Sequence, residues 1–336
     1  MGVTIKDVAK EANVAISTIS KYLNGGKVRR KNKEAIEAAI RKLNYSPNTA
    51  ARGLRTSRTY RVGLLTGTGD NPHTSRLLDE IERRMWSQGY SLIYLNTECG
   101  TKETVREYMD FVVGAGVDGI IVTASGNSED CLRRAYECGI PVVIMEECYT
   151  DMEMDCVQVD CAGGSYQAME YLINAGHRDI AVVCGPEKYV TASERLRGYL
   201  RVIEDYGLPV REEYFVDGSF KYDGGYECIK KIWALPKRPT AVFITNYVMC
   251  MGAMEAVYEL GIRIPEDLSV VTFDDFELSL MVRPKLTAVK QPLKELADEV
   301  CRILLQRMNG DYTDFPRKIR LKPTFIERDS VRKILP

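Results

Sequence analysis

The sequence predicts an α/β protein with two kinds of part: an N-terminal three-helix helix-turn-helix headpiece with a hinge helix, then two doubly wound parallel-sheet lobes. Three observations predict it. Charge is uneven: residues 1–60 hold 13 Lys and Arg against four acids, Asp7, Glu11, Glu34 and Glu37, a net of +9, whereas the whole chain carries −1. Residues 4–44 show three short helical patterns around a tight turn. From Arg61 onward, continuous apolar runs alternate with amphipathic helices, as expected of parallel strands covered on both faces.

At 336 residues the chain exceeds the roughly 100–200 of one domain. No apolar run nears the roughly 18–20 residues of a membrane span. The N-terminal "MGVTIKDVAKEANV" is charged and helix-patterned rather than signal-like, so a cytoplasmic location without a membrane partner is expected. Ten cysteines between Cys99 and Cys301 form no CxxC, and His73 and His177 lack metal-ligand spacing. Reduced, buried thiols are expected rather than disulfides or a metal site, and no cofactor.

Thr4 and Asp7 have the spacing of a capping box and open a helix with Ile5, Val8, Ala9 and Ala12 on one face. Asn13 breaks the pattern. A second helix in "VAISTISKYLN" turns Val14, Ile19 and Leu23 inward and Ile16, Ser17 and Lys21 outward, and ends at Asn24, Gly25 and Gly26. A third, about Arg30 to Asn44, buries Ile36, Ala39, Ile40 and Leu43. By pattern alone this is a generic small bundle or a helix-turn-helix. The hydroxyls of Ser17, Thr18 and Ser20 favour the latter, since hydroxyls and helix N-termini suit phosphate oxygens, while Ser17 and Lys21, four apart, suit base edges, Lys21 a guanine. A basic module on an acidic body points to a polyanion as partner.

"YSPNTAARGLRT" reads as a linker or as a short helix, with Ser46 as cap and Pro47 in the first turn. Under ten residues long and carrying Gly53, it is marginal alone. In the body, "RVGLLT", "YSLIYLNT", "DGIIVTA", "PVVIME", "DIAVVCG", "TAVFITN" and "LSVVTFDD" are strand runs, and "CGIPVV", "YGLPV" and "LGIRIP" end helices before strands. Parallel sheets place ligands at strand carboxyl ends, where Thr66, Thr123, Ser125, Glu146, Glu147, Asn246 and Asp274 fall, with Arg195 and Phe220 between. An aromatic face with a carboxylate, an amide and a guanidinium suits a polyhydroxylated ligand. Singly, each is as readily a cap. The helix from Pro292 to Met308 carries Leu293, Leu296, Ala297, Val300, Ile303 and Leu304 on one stripe, read as core in preference to dimer surface.

"TIKDVAKEANVAISTISKYLNGGKV…AIRKLNYSPNTAARGLRT" resembles the DNA-binding headpiece of the lactose/galactose repressor family. "EYLINAGHRDIAVVCG", "ERLRGY", "MGAMEAVYELGIRIPEDLSVVTFDD" and "LTAVKQP" resemble that family's regulatory core, of type I periplasmic binding protein fold. The resemblance implies a headpiece over 1–45, a hinge helix and linker over 46–60, and an effector-binding and dimerisation core over 61–336, with one lobe about 61–160 and 291–318 and the other about 161–290 and 319–330. It implies base reading by Ile16, Ser17 and Lys21, and phosphate contacts from Thr18, Ser20, Asn24 and Asn32. Ala51, Leu54 and Arg55 fall on the minor-groove hinge, with Leu54 as wedge. Effector contacts fall on Thr123, Glu146, Arg195, Phe220, Asn246 and Asp274, with His73 and Thr74 at a lobe contact. Implied partners are a pseudo-palindromic double-stranded DNA operator, a small-molecule effector, expected to be a sugar, and a second copy in a homodimer. The sequence departs from the pattern at Ala15 for Ser, Lys21 for Arg, Tyr247 for Asp, Thr272 for Gly and "NPHTS" for "NPFF".

A purine or a partner protein as co-effector is the alternative within this function. A secreted sugar-binding protein fits the body but not the basic N-terminus. A carbohydrate-active enzyme would need Asp274 with Asp275, or Glu146 with Glu147, to flank one bond, and adjacent residues of an extended strand point to opposite faces. No glycine-rich phosphate loop or GxSxG elbow occurs, so no enzyme is expected.

Overall fold

The computed structural model describes residues 3–23, 26–45, 58–67, 71–97, 102–123, 129–146, 148 and 153–334. The chain separates into two compact units, residues 1–60 and 61–336.

In the first unit, helices Ile5–Glu11, Ile16–Leu23 and Arg30–Leu43 enclose a small core of Val8, Ala9, Ala12, Ile19, Ile36 and Ala39. Val14, Leu23, Ile40 and Leu43 pack at its edge, half-buried rather than enclosed. The cap at Thr4 forms with Asp in the place usual for Glu: the Asp7 carboxylate accepts from the Thr4 amide at 2.8 Å and its hydroxyl at 2.7 Å. Those two donors hold the Asp7 carboxyl below its ordinary pKa. Asn44 closes the third helix with φ 47°, a left-handed conformation that Asn tolerates better than most residues.

The second unit is two six-stranded sheets. The first runs β11-β5-β4-β3-β1-β2, all parallel, from Lys318–Leu321, Asp155–Val159, Val142–Met145, Gly119–Thr123, Arg61–Thr66 and Ser91–Asn96. The second runs β12-β10-β9-β8-β6-β7, from Thr324–Ile326, Thr287–Lys290, Ser269–Phe273, Ala241–Ile244, Ile180–Cys184 and Phe215–Asp217. Only β12 is antiparallel to its neighbour among these pairings. The seven apolar runs of the sequence are strands. β5, β7, β10, β11 and β12 lie outside those runs, being short or interrupted by polar residues.

The turns before several strands repeat one device. Gly139, Gly207 and Gly261 have φ of 68°, 61° and 64° at helix ends. The next residue in each case reaches back five positions, Ile140 to Ala135, Leu208 to Ile203 and Ile262 to Val257, satisfying carbonyls the helix leaves open.

The helix Leu293–Met308 buries Leu296, Ala297, Val300, Ile303 and Leu304 against β3–β5 and the helix Pro72–Ser87, so its stripe is core of the first lobe. The chain crosses back to the second lobe between Leu321 and Thr324, slightly later than the expected residue 319, because β11 continues pairing with β5 as far as Leu321. A second correction concerns the thiols. Cys148 and Cys156 form a disulfide, with Cα atoms 5.7 Å apart, while Cys161, Cys184, Cys228, Cys250 and Cys301 are free and buried, and Cys138 is free and exposed. Neighbouring strands bring the pair together, which a spacing of eight residues without a motif does not reveal.

The first lobe is closed by a buried ion pair. Arg307, 2% exposed, donates from Nε and Nη2 to the two oxygens of Asp155 at 2.7 and 3.0 Å. Asp155 Oδ1 also accepts the Arg317 amide at 2.7 Å, and Arg307 pairs with Asp314. Breaking such a pair leaves a buried charge uncompensated. Arg307→Met is expected to cost about 3–5 kcal/mol in urea unfolding. Adding Asp155→Leu should recover most of that, short of the roughly 1–3 kcal/mol for an unpaired Arg317 amide.

His177 is fully buried in the second lobe. Its Nε2 faces the Arg332 carbonyl at 3.1 Å and must donate, so Nδ1 accepts from the Thr240 hydroxyl at 2.8 Å. Burial lowers its pKa to about 4. Because the unfolded imidazole binds a proton near its ordinary 6.5 and the folded one only near 4, stability falls as pH drops through that window and levels off below it. The expected loss is about 3 kcal/mol. Urea melts between pH 7.5 and 4 should show this slope in the native chain and lack it in His177→Gln.

Candidate functional site

Two groups of residues carry the chemistry, one in each unit. In the headpiece, Ile19 anchors the helix Ile16–Leu23 at 0% exposure, so the periodicity turns Ile16, Ser17 and Lys21 outward. Ile16 is 45% exposed, an apolar residue left on an otherwise polar face. Thr18, Ser20 and Asn32 are half-buried beside it. Asn24, Ala51, Leu54 and Arg55 lie outside the described residues.

Ala15 precedes the helix and contributes only its carbonyl, accepting from the amides of Thr18 at 2.9 Å and Ile19 at 3.3 Å. With no side-chain oxygen at that position, nothing from Ala15 caps the first-turn amides, and such amides attract anions. The Lys21 stem lies against Gly26, where a Cβ would fall 2.6 Å from Lys21 Cγ. The acids of the headpiece are engaged internally: Asp7 with Thr4, Glu11 with Lys42 at 2.6 Å, Glu34 with Arg30 at 2.9 Å and Glu37 with Tyr22 at 2.9 Å. Among the described residues none is spent on Lys21.

In the body, the strand carboxyl ends carry the second group. Thr66 and Thr123, ending β1 and β3, share a hydrogen bond of 2.6 Å. Glu146 leaves β4 with φ 67°, its amide donating to the Val157 carbonyl at 2.9 Å. Its carboxylate lies 3.4 Å from His73 Nε2, a buried nitrogen without a hydrogen-bond partner. His73 is positioned by the cap of its own helix: Asn71 Oδ1 accepts the His73 amide at 3.0 Å and Pro72 occupies the first turn. Thr74 follows, half-buried.

From the second lobe, Arg195 is buried in the helix Val190–Asp205. It donates to the Thr245 carbonyl at 2.5 Å, lies 3.9 Å from Asp274 Oδ2 and stacks 4.0 Å from the Phe273 ring centroid. Burial disfavours its charge, but Asp274, Cys161 and Glu146 together outweigh burial and raise its pKa. Glu146, from the other lobe, is therefore close enough to act on Arg195. Asp274, at φ 77°, accepts from Gln291 Nε2 at 2.6 Å. Asn246 Oδ1 caps the helix Tyr247–Glu259 by accepting from Val248 and Met249, so its amide NH₂ is the group left to donate among the described residues. The Phe220 ring, at φ 58°, covers Gly185, where any Cβ would fall 2.2 Å from it, and lies 5.6 Å from Tyr189.

The structure thus joins His73 with Glu146, Thr66 with Thr123, and Arg195 with Asp274. Phe220 and Asn246 follow β7 and β8, the two strands that flank β6 in the second lobe. Sequence reasoning missed Cys161, whose buried thiol is pushed up to about 11 by burial and feels the charge of Arg195, and Gln291, which orients Asp274. Gln291 lies in the "LTAVKQP" stretch but its role, like that of Cys161, depends on a partner outside its local segment. Tyr247, a departure from the resembled pattern, is a packing residue: its ring meets Phe276 edge-on at 5.0 Å, and Phe276 lies under Arg76, which pairs with Glu277. Asp275 pairs with Arg328 at 2.7 Å, apart from Asp274, so the adjacent carboxylates serve different partners.

Beyond the strands, Glu146 and Asp274 thus carry acceptors, Arg195 and Asn246 donors, and Phe220 an aromatic face. Residues 4–48 match bacterial regulatory proteins of the lacI family, and residues 169–331 match a periplasmic binding protein-like domain. The chain is 33% identical over 333 residues to the HTH-type transcriptional repressor PurR of Actinobacillus pleuropneumoniae serotype 3 (strain JL03), covering 98% of this chain and 99% of that one. The lac repressor dimer bound to operator and the anti-inducer ONPF superposes with a TM-score of 0.84 at 25% identity, covering 99% and 100% of the two chains. A complex of the transcriptional regulator CelR with cellobiose gives a TM-score of 0.74 at 27% identity, covering 98% and 99%.

Proposed function

This chain belongs to the lacI family of bacterial regulatory proteins, and on that premise we propose how its residues divide the work of an effector-controlled DNA-binding repressor. The observation that carries the reading is the helix Ile16–Leu23, one face of which is core while the other presents Ile16, Ser17 and Lys21 on a unit of net charge +9. Two copies of the chain, as a homodimer, read the two halves of a pseudo-palindromic operator. Lys21 and Ser17 meet base edges and Ile16 a thymine methyl. Thr18, Ser20, Asn24 and Asn32, with the first-turn amides, hold phosphates. Residues 46–60 are the hinge, in which Leu54 wedges between base steps of the minor groove with Ala51 near the groove floor and Arg55 on phosphate.

The effector occupies the cleft between the lobes. Glu146 and Asp274 accept its donor groups, Arg195 and Asn246 donate, and Phe220 stacks on it, with Thr123, His73 and Thr74 completing the wall. The PurR relatives favour a purine base, which offers a flat face to Phe220 and ring N–H groups to the carboxylates. A sugar is the second reading, favoured by the likeness to the CelR complex with cellobiose. Binding and operator affinity are reciprocal: an effector that weakens the DNA complex is itself bound more weakly by it.

A thermal-shift screen of guanine, hypoxanthine, ribose and cellobiose, followed by operator titration with each hit, tests the effector. One class should raise the melting temperature by several degrees at about 100 times its Kd. If no compound does, the effector assignment fails, and if the protein has no salt-sensitive preference for any palindromic site, the operator assignment fails with it. For the hinge, Leu54→Ala should weaken specific operator binding by roughly 1–3 kcal/mol while leaving nonspecific binding nearly unchanged. Equal losses on both DNAs would reduce the segment to a tether.

A further inference from the structure

We propose that Cys148 and Cys156 form a reversible thiol–disulfide site that sets the order of Glu146, and, resting on the reading above, the grip of the cleft on its effector. Glu146 sits between two anchors. On one side its amide donates to Val157 at 2.9 Å, next to Cys156 on β5. On the other, Cys148 returns the chain to β5 through the disulfide two residues after Glu146. The register sets the reach: Ile144 of β4 is paired with Cys156 and Met145 with Val157, so Cys148 lies four positions beyond the residue already paired with Cys156.

Glu146 itself holds φ 67°, a conformation that residues other than glycine rarely adopt and that surrounding contacts must impose. Among the described residues, the backbone hydrogen bond to Val157 and the nearby disulfide hold the chain there. Removing the bond leaves Cys148 free of β5 and Glu146 with a single anchor, so its carboxylate, now 3.4 Å from His73, loses its fixed place in the cleft. Cys156 is buried at 1% exposure, whereas Cys148 is half-buried, so Cys148 is the sulfur that meets a reagent.

The co-reactant is a low-molecular-weight disulfide such as oxidised glutathione. The Cys148 thiolate, having released its proton to solvent, attacks one sulfur of that disulfide. The S–S bond breaks, one thiolate leaves and takes up a proton, and a mixed disulfide remains on Cys148. The Cys156 thiolate then attacks Cys148 Sγ, expelling the second small thiolate. Two protein thiols are oxidised and one small disulfide is reduced to two thiols. The reverse sequence opens the bond with two small thiols.

The full-length protein is equilibrated at stepped ratios of reduced to oxidised glutathione, alkylated in acid and mapped by mass spectrometry, and hydrogen exchange is followed at residues 142–159. The 148 and 156 peptides should pass from linked to doubly alkylated as the ratio rises, and back again. Exchange at the Glu146 amide should quicken on the order of tenfold in the reduced protein. Cys148→Ser and Cys148→Ala should exchange at the fast rate in both buffers, and Cys138→Ser should follow the native chain. Equal exchange in the oxidised and reduced native chain overturns the proposal, as does a pair that never links or cannot be reopened. The native comparison needs no variant to fold. Neither readout uses an effector, so an empty thermal-shift screen would sink the effector assignment and leave this result standing.

Discussion

The body depends on the buried pair of Asp155 and Arg307. The first lobe is built from two stretches of chain, one running to β5 and one returning from the second lobe as the helix Leu293–Met308 and β11. Asp155 starts β5 and binds both returning elements, the helix through Arg307 and β11 through the Arg317 amide. Burying two charges costs several kcal/mol per ion unless each is matched and fully hydrogen-bonded. Here the Asp155 oxygens accept three donors and Arg307 has Asp155, Asp314 and the Asp311 carbonyl. The interaction therefore selects one closure of the lobe over others, since any other register leaves a charge unpaired.

What the closed lobe holds in place reaches the cleft. β5 carries Cys156 and the Val157 carbonyl, and through these it fixes the exit of β4, where Glu146 turns toward His73. From the second lobe, Asp274 is held by Gln291, whose residue lies at the crossover into the returning helix. Both carboxylates of the cleft are thus tied to segments that close or cross between the lobes. A change in lobe geometry must move them. This is the physical form that coupling between a ligand and a distant surface takes: two states with different affinity for the ligand, linked by one set of contacts.

Backbone strain marks the same residues. Glu146, Phe220 and Asp274 each have positive φ, at 67°, 58° and 77°, and lie just beyond β4, β7 and β9. Each is held by contacts made elsewhere: Glu146 by Val157, Asp274 by the Val289 carbonyl, and Phe220 by its ring over Gly185. Residues in this region cost of order 1–3 kcal/mol and persist where the surroundings over-determine them. Holding the acceptor and stacking groups in advance spares a ligand the cost of ordering them.

The sequence by itself determined the periodic and punctuated features. The helices of the headpiece, the seven apolar strands, the glycine stops at Gly139, Gly207 and Gly261, and the outward face of Ile16, Ser17 and Lys21 follow from local pattern, because burial on both faces or on one stripe must be written in consecutive residues. The lacI-family likeness was legible for the same reason, in motifs of adjacent residues. Only tertiary structure decided the rest. β5 begins with a charged residue that is buried because its partner stands 152 positions away, and local reading sees a polar interruption. Cys148 and Cys156 look like scattered thiols until strand pairing brings them together. Cys161 and Gln291 gain their places beside Arg195 and Asp274 only when the helices and strands of the second lobe have packed. The physical reason is range: hydrophobic period and turn chemistry act within a few residues, whereas charge pairing, disulfide bonding and cleft assembly are settled by which distant segments the packed sheets bring within bonding distance.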